Sequence, residues 1–245
     1  MPDILELPVA ASSGSSTFYQ NPVDANWKTR FNDFTQGDGN NFWGELNLLG
    51  IASTGASIAE TALVSGEEDR FGIATISCGS TYGISMGYAS EARFGGAQHR
   101  FGAGLKLVAV PDATDDALFW FGFSMDTNSI GTYMSYIGID RSVNATNFIA
   151  VTRKAGTQTA TDTGVAFDTD WHTFEIIVNG GNTSHAFYID GTLVATNTTN
   201  LPDASLAPTV GTSNVAGAAN SFKIDWIYHA FKPTAARGTI TTWLT

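Results

Sequence analysis

Basic residues are scarce in this chain of 245 residues: 12 Lys and Arg stand against 23 Asp and Glu, a formal net charge of −11. Proteins that grip a nucleic-acid backbone do so with clustered cations that release counterions. The few cations here are scattered along the chain, so no nucleic-acid partner is expected. The same acidic surplus repels anionic membranes and polymers at long range. The single cysteine, Cys78, excludes an internal disulfide, and beside Ile76 and Ser77 it reads as a buried, inert thiol. Histidine occurs four times, at His99, His172, His185 and His229, with no H-E-x-x-H and no His-x-His. Those are the spacings that a zinc site needs, so transition metals are not expected. No apolar run approaches the ~20 residues of a membrane helix. The opening MPDILELPVAASSGSS carries acids where a secretion signal carries cations, so an unprocessed product made in the cytoplasm, with no membrane partner, is expected.

What the chain does have is aromatic and turn-forming residues: 16 Phe, seven Tyr, six Trp and 26 Gly. With 43% hydrophobic and 14% charged residues it can bury a large core, and the chain length suits one large all-β domain. The clearest stretch is DWHTFEIIVNGGNTSHAFYIDGTLVATNTTNLP, Asp170 to Pro202. Phe174, Ile176 and Val178 fall two apart, on one face of a strand. Phe187 and Ile189 resume the alternation, and Asp190-Gly191 supplies a two-residue turn that needs positive φ. Phe101, Ala103, Leu105, Leu107 and Ala109 alternate, as do Phe119, Phe121, Phe123 and Met125. Leu118 and Trp120 leave the second of these apolar on both faces, as in a strand covered twice. The expected strands cover 71–78, 83–94, 100–110, 117–125, 131–139, 146–154, 171–179, 184–190, 192–197 and 221–231. One further strand is expected within 42–62. In the last strand, alternation places Phe222, Ile224, Trp226 and Tyr228 on one face and Lys223, Asp225, Ile227, His229 and Phe231 on the other. Residues 1–26 mix Pro2, Pro8 and Pro22 with a Ser/Gly/Ala run and read as an attachment arm. The sandwich spans 27–231, and 232–245 form a C-terminal extension ending in TITTWLT.

The series "DDALFWFGFSMD", "NFIAVTRKAGTQTATDTGVAFDTDWHTFEI", "FYIDGTLVATNTTNLP" and "IDWIYHAF" resembles the concanavalin A-like lectin/glucanase group of sandwiches, and more narrowly lectin-like (LamG-like) domains of tailed-bacteriophage structural proteins. The resemblance spans roughly residues 71 to 231. It implies a jelly-roll β-sandwich of two antiparallel sheets. It also implies a virion protein: a capsid decoration, head-fibre or tail-associated component. Such a protein would be held to other virion proteins by its N-terminal arm, assembled as a homo-oligomer such as a trimer, and facing surface glycans. A free carbohydrate-binding lectin and a polysaccharide-degrading enzyme, hydrolase or lyase, with an unrecognised site are the alternatives.

Catalytic strings are missing. Glycoside hydrolysis needs two carboxylates flanking the scissile bond, and the E-x-D-x-x-E strand of sandwich glucanases does not occur. Glu67-Glu68-Asp69, Asp112 with Asp115-Asp116, and Asp168 with Asp170 all fall in expected turns. Glu91, Arg93, Gln98, His99 and Arg100 give only a compressed echo of the lyase Arg and Gln-x-His strands, without the Tyr string. Gly83-Ile84-Ser85-Met86-Gly87 matches the letters of a nucleophile elbow but lies in a β-rich run with no following helix. No catalysis is therefore expected. His172 opens a strand and reads as a turn support. Sequons at Asn144, Asn182 and Asn197 read as turn chemistry. Asp112, Asp115 and Asp116 have the ligand type for a structural calcium ion, the one cofactor considered. Trp43, Trp120, Tyr133, Tyr136, Trp226 and Tyr228 are the aromatics able to stack on sugar, although most must fill the core; Trp120, Tyr133, Tyr136 and Trp226 are taken as the glycan-binding candidates.

Overall fold

The computed structural model describes residues 28–32, 49–52, 57–63, 71–78, 83–88, 92–93, 97–111, 118–125, 131–214 and 220–232. Every regular element among them is a β-strand, and the strands form two antiparallel sheets packed face to face, the jelly-roll sandwich expected. Sheet I runs β14 (Thr192–Asn197), β13 (His185–Ile189), β12 (Trp171–Val178), β7 (Gln98–Leu107), β16 (Ser221–Lys232), β4 (Phe71–Ser77) and β3 (Ser57–Leu63); β1 (Lys28–Asn32) also pairs with β16. Sheet II runs β11 (Thr157–Ala166), β10 (Asn147–Lys154), β9 (Met134–Asp140), β8 (Leu118–Ser124), β15 (Ser205–Asn214), β5 (Gly83–Tyr88) and β2 (Leu49–Ala52); β6 (Ala92–Arg93) also pairs with β15.

Period-two alternation decides what lies between the sheets. Phe101, Ala103, Leu105 and Leu107 of β7 face Phe119, Phe121 and Phe123 of β8 in one buried cluster, joined by Phe174, Ile176 and Val178 of β12 and by Ile137 and Ile139 of β9. Phe101 and Phe121 stack with ring centroids 4.4 Å apart. Each such side chain contributes about 2 kcal/mol by leaving water. A second buried cluster, Trp120, Met134, Tyr136, Ile149 and Val151, occupies the opposite face of sheet II, so β8 is indeed apolar on both sides. At Asp190-Gly191 both residues have positive φ, 50° and 74°, giving the two-residue hairpin between β13 and β14.

Three strands were not anticipated: β1, β11 and β15. The polar β11 shows no hydrophobic alternation because it is an edge strand, and it is joined to β10 by a second positive-φ turn, Ala155-Gly156. Pro208 argues against a strand at β15, since proline donates no ladder bond. It falls, however, between the positions paired with β6 and those paired with β5, where that side of the strand has no partner to lose. The expected strand at 83–94 is two short ones, and the single strand expected within 42–62 is also two, β2 and β3, on different sheets. The arm expected at 1–26 and all but the first residue of the extension expected at 232–245 lie outside the described residues.

The important correction concerns β16. A β-bulge between Ile224 and Trp226 shifts its register against β7, so Ile224 pairs with Leu105 and Trp226 pairs with Gly104. A one-residue slip moves every later side chain to the other face. Ile227 therefore joins Phe222 and Ile224 in the core, while Trp226 and Tyr228 turn to the outer face of sheet I.

Candidate functional site

The outer face of sheet I carries a grouping of polar and aromatic side chains. Its floor is β7, where Gly102 and Gly104 have no side chains to fill the surface. The Tyr228 ring leans over Gly102, and the Trp226 indole over Gly104 at 2.8 Å from where a Cβ would stand. The two rings stack, with centroids 6.1 Å apart and planes 19° from parallel. Tyr228 is buried while Trp226 stays partly exposed.

Cross-strand pairing explains the polar side of this group. Glu175 of β12 and Tyr228 of β16 both pair with Gly102. With no side chain between them, the Tyr228 hydroxyl reaches across and donates to Glu175 Oε1. Arg100, one outward position along β7, donates from Nε at 2.8 Å and places Nη2 2.7 Å from the same oxygen. Burial and the Glu175 charge push the Tyr228 phenol far above its ordinary value, so it stays protonated. Burial alone would lower the Arg100 pKa, but Tyr228 and the Glu175 carboxylate beside it leave it raised. The result is a fixed carboxylate, guanidinium and protonated phenol beside a partly exposed indole. Such a set can hydrogen-bond hydroxyls while a sugar ring stacks on the tryptophan.

One row along the face, Lys106 of β7 pairs with Trp171 of β12 on one side and Lys223 of β16 on the other. Trp171 is half-buried, and it was not among the sequence candidates; its alternation with the inward His172 and Phe174 was the available signal. Arg100, Glu175 and Lys106 were likewise missed as a group, because residues 75 positions apart meet only through strand order.

Of the four glycan-binding candidates, only Trp226 lies here. Trp120 and Tyr136 are 0% and 1% exposed within the second cluster of sheet II, and Trp120 is laid against Gly211, so neither offers a ring face to a ligand. A central strand covered on both faces leaves its aromatics no solvent side. Tyr133 is partly buried and packs on the main core at the start of β9. The proposed calcium ligands Asp112, Asp115 and Asp116, and Trp43, lie outside the described residues, among which no group of three His, Cys, Asp or Glu is placed to hold a metal.

The histidines divide. His172 is clamped by Asp190 at 2.6 Å and Asp168 at 3.1 Å, and Asp190 also accepts from the Thr173 amide. This ties the hairpin turn to the start of β12. The other three point between the sheets: His99 stacks on His229 with planes 3° apart, and His185 contacts Ser135 and Asn182. None of the four lies on the outer face.

No protein-family model matches the chain, and no curated protein matches it in sequence. Solved structures do. Alginate lyase AlyC3 in complex with dimannuronate superposes with a TM-score of 0.51 at 9% identity, over 69% of this chain and 80% of that one. Endo-1,3-beta-glucanase from Streptomyces sioyaensis gives a TM-score of 0.51 at 12% identity, over 86% and 98%. A sialidase gives 0.54 at 10% identity, over 82% of this chain and 18% of that one. These likenesses overturn the expectation of no catalysis: enzymes are built on this same sandwich without needing any one sequence string, so the missing E-x-D-x-x-E does not exclude activity. At these identities the similarity concerns fold, and the fold is the concanavalin A-like jelly roll.

Proposed function

We propose that the protein engages carbohydrate on the outer face of sheet I. The observation that carries this reading is the bulge in β16, which re-aims Trp226 and Tyr228 onto a glycine floor beside Arg100 and Glu175. An aromatic that would have filled the core instead lies on the surface as a stacking platform, and bulges commonly serve such re-aiming. The sequence resemblance supports placing this platform on a tailed-phage particle, with residues 1–26 as the attachment segment and an oligomeric sandwich facing surface glycans.

Binding to an array of bacterial and plant polysaccharides tests the site. Wild-type protein should bind saturably, and Trp226→Ala should lose that binding while keeping its melting temperature. A wild type that binds no glycan, or a variant that binds unchanged, overturns the reading. Virion placement is tested separately by mass spectrometry of purified particles, where stoichiometric copies are expected.

A second reading, cleavage at the same face, is favoured by the Tyr228–Glu175–Arg100 group. The Arg100 guanidinium and the Tyr228 hydroxyl converge on one oxygen of Glu175, a fixed polar group able to orient a bound substrate and support charge developing on it. Its test is release of reducing ends from a bound glycan, lost in Tyr228→Phe with binding retained.

A further inference from the structure

Resting on the reading of this face as a glycan site, we propose that the saccharide it takes is acidic, a uronate-type sugar whose carboxylate is held by Lys106 between Trp171 and Trp226. The chain has few cations, yet the row crossing the platform sets Lys106 directly opposite Lys223. Lys223 has interactions of its own, so the assignment rests on Lys106.

Lys106 forms no ion pair among the described residues. The acids around it are committed elsewhere or lie at turns. Glu175 is engaged by Arg100 and Tyr228, and Asp168 accepts from His172. Asp225, at the bulge, has an interaction of its own, and Asp170 is exposed in the turn before β12. Asp168 and Asp170 line the same cavity as Lys106, yet neither is ion-paired to it among the described residues, and the register sets Lys106 between the strands that carry two partly exposed indoles. Trp171 pairs across from Lys106 on β12, and the Trp226 ring lies over Gly104, the next outward position along β7. An indole on either side of a cation matches a sugar pair that stacks its ring faces and carries a carboxylate between them. A chain of net charge −11 repels polyanions at a distance, so a local cation is what admits an acidic sugar to this face.

The test uses the full chain with polygalacturonate and polymannuronate, each as the free acid and as its methyl ester, and with neutral β-glucans. The free acids should bind, esterification should weaken binding at least tenfold, and added salt should weaken it further. Lys106→Met should reproduce the loss on the free acid while leaving the esters unaffected, and Lys106→Arg should retain binding. Equal binding of acid and ester, or unchanged affinity in Lys106→Met, overturns this assignment while leaving the glycan site standing. A wild type that binds none of the polymers, with Trp226→Ala indistinguishable from it, removes the glycan site and this proposal together.

Discussion

The indole of Trp226 lies against the backbone of Gly104, its Nε1 2.8 Å from the place a Cβ would occupy. Gly104→Ala therefore displaces the ring. Because the indole is partly exposed it can swing toward solvent, so the fold survives and the stacking surface is lost. Glycan affinity should fall at least tenfold, with a red-shifted tryptophan emission and a melting temperature within a few degrees of wild type. Gly138→Ala is the contrast. There the added carbon meets the carbonyl oxygen of Phe119 on the paired strand β8, which moves only if the ladder opens. A loss of about 3 kcal/mol is expected from that overpacking, measured by urea unfolding.

Glu175 accepts from both Arg100 and Tyr228, so its removal strands a half-buried cation. Glu175→Ala should cost about 1–2 kcal/mol, and Tyr228→Phe about 1 kcal/mol. Removing Arg100 and Glu175 together should cost less than the sum of the two single changes, by about 1 kcal/mol. A double-mutant cycle by chemical denaturation checks this, and strict additivity would show the pair to be uncoupled.

The sandwich was legible where alternation is strong, as in Phe101 to Leu107 and Phe119 to Phe123, and where turn chemistry is explicit, as at Asp190-Gly191. The polar edge strand β11 was not, since an edge needs no apolar periodicity. The site was half legible. Trp226 was named, but period two assigned it the face of Phe222 and Ile224, because a bulge leaves no mark in the hydrophobic pattern of a strand apolar on both faces. Trp120 looked equally available as an aromatic, and only the second cluster over sheet II shows why it is not. Arg100 and Glu175 meet through the pairing of β7 with β12, which strand order decides and local sequence does not.

His172 ties the β13–β14 turn to β12 through Asp190 and Asp168. Burial alone would lower its pKa, yet the two carboxylates win and raise it above the ordinary histidine value. A group with a raised folded pKa contributes its full stability below the unfolded value and loses it as pH rises through the folded one. Both aspartates are about half exposed, so the contribution is screened to about 1 kcal/mol. The stability gap between wild type and His172→Gln should be widest near pH 6 and close on going alkaline. A gap that is constant from pH 6 to 9 would show that the imidazolium form is not favoured.

His185 should behave with the opposite sign. It is fully buried, its Nδ1 is 2.7 Å from the Ser135 hydroxyl and its Nε2 2.7 Å from Asn182 Oδ1. That pattern fits a neutral ring donating from Nε2 to the amide oxygen and accepting at Nδ1 from the hydroxyl. Burial, then repulsion from His99, pushes its pKa down to about 3. In the unfolded chain the ring takes up its proton near pH ~6.5. Between those values the unfolded state binds a proton that the folded state refuses, so acidification removes about 1.4 kcal/mol per pH unit from this residue alone. Glutamine at this position can keep a donor and an acceptor without titrating. Unfolding free energies of wild type and His185→Gln, compared from pH 6.5 to 4.5, should therefore converge or cross, the wild type falling more steeply. Parallel curves would mean that His185 takes up its proton in the folded protein as readily as in the unfolded one, and would place the acid sensitivity of the sandwich elsewhere.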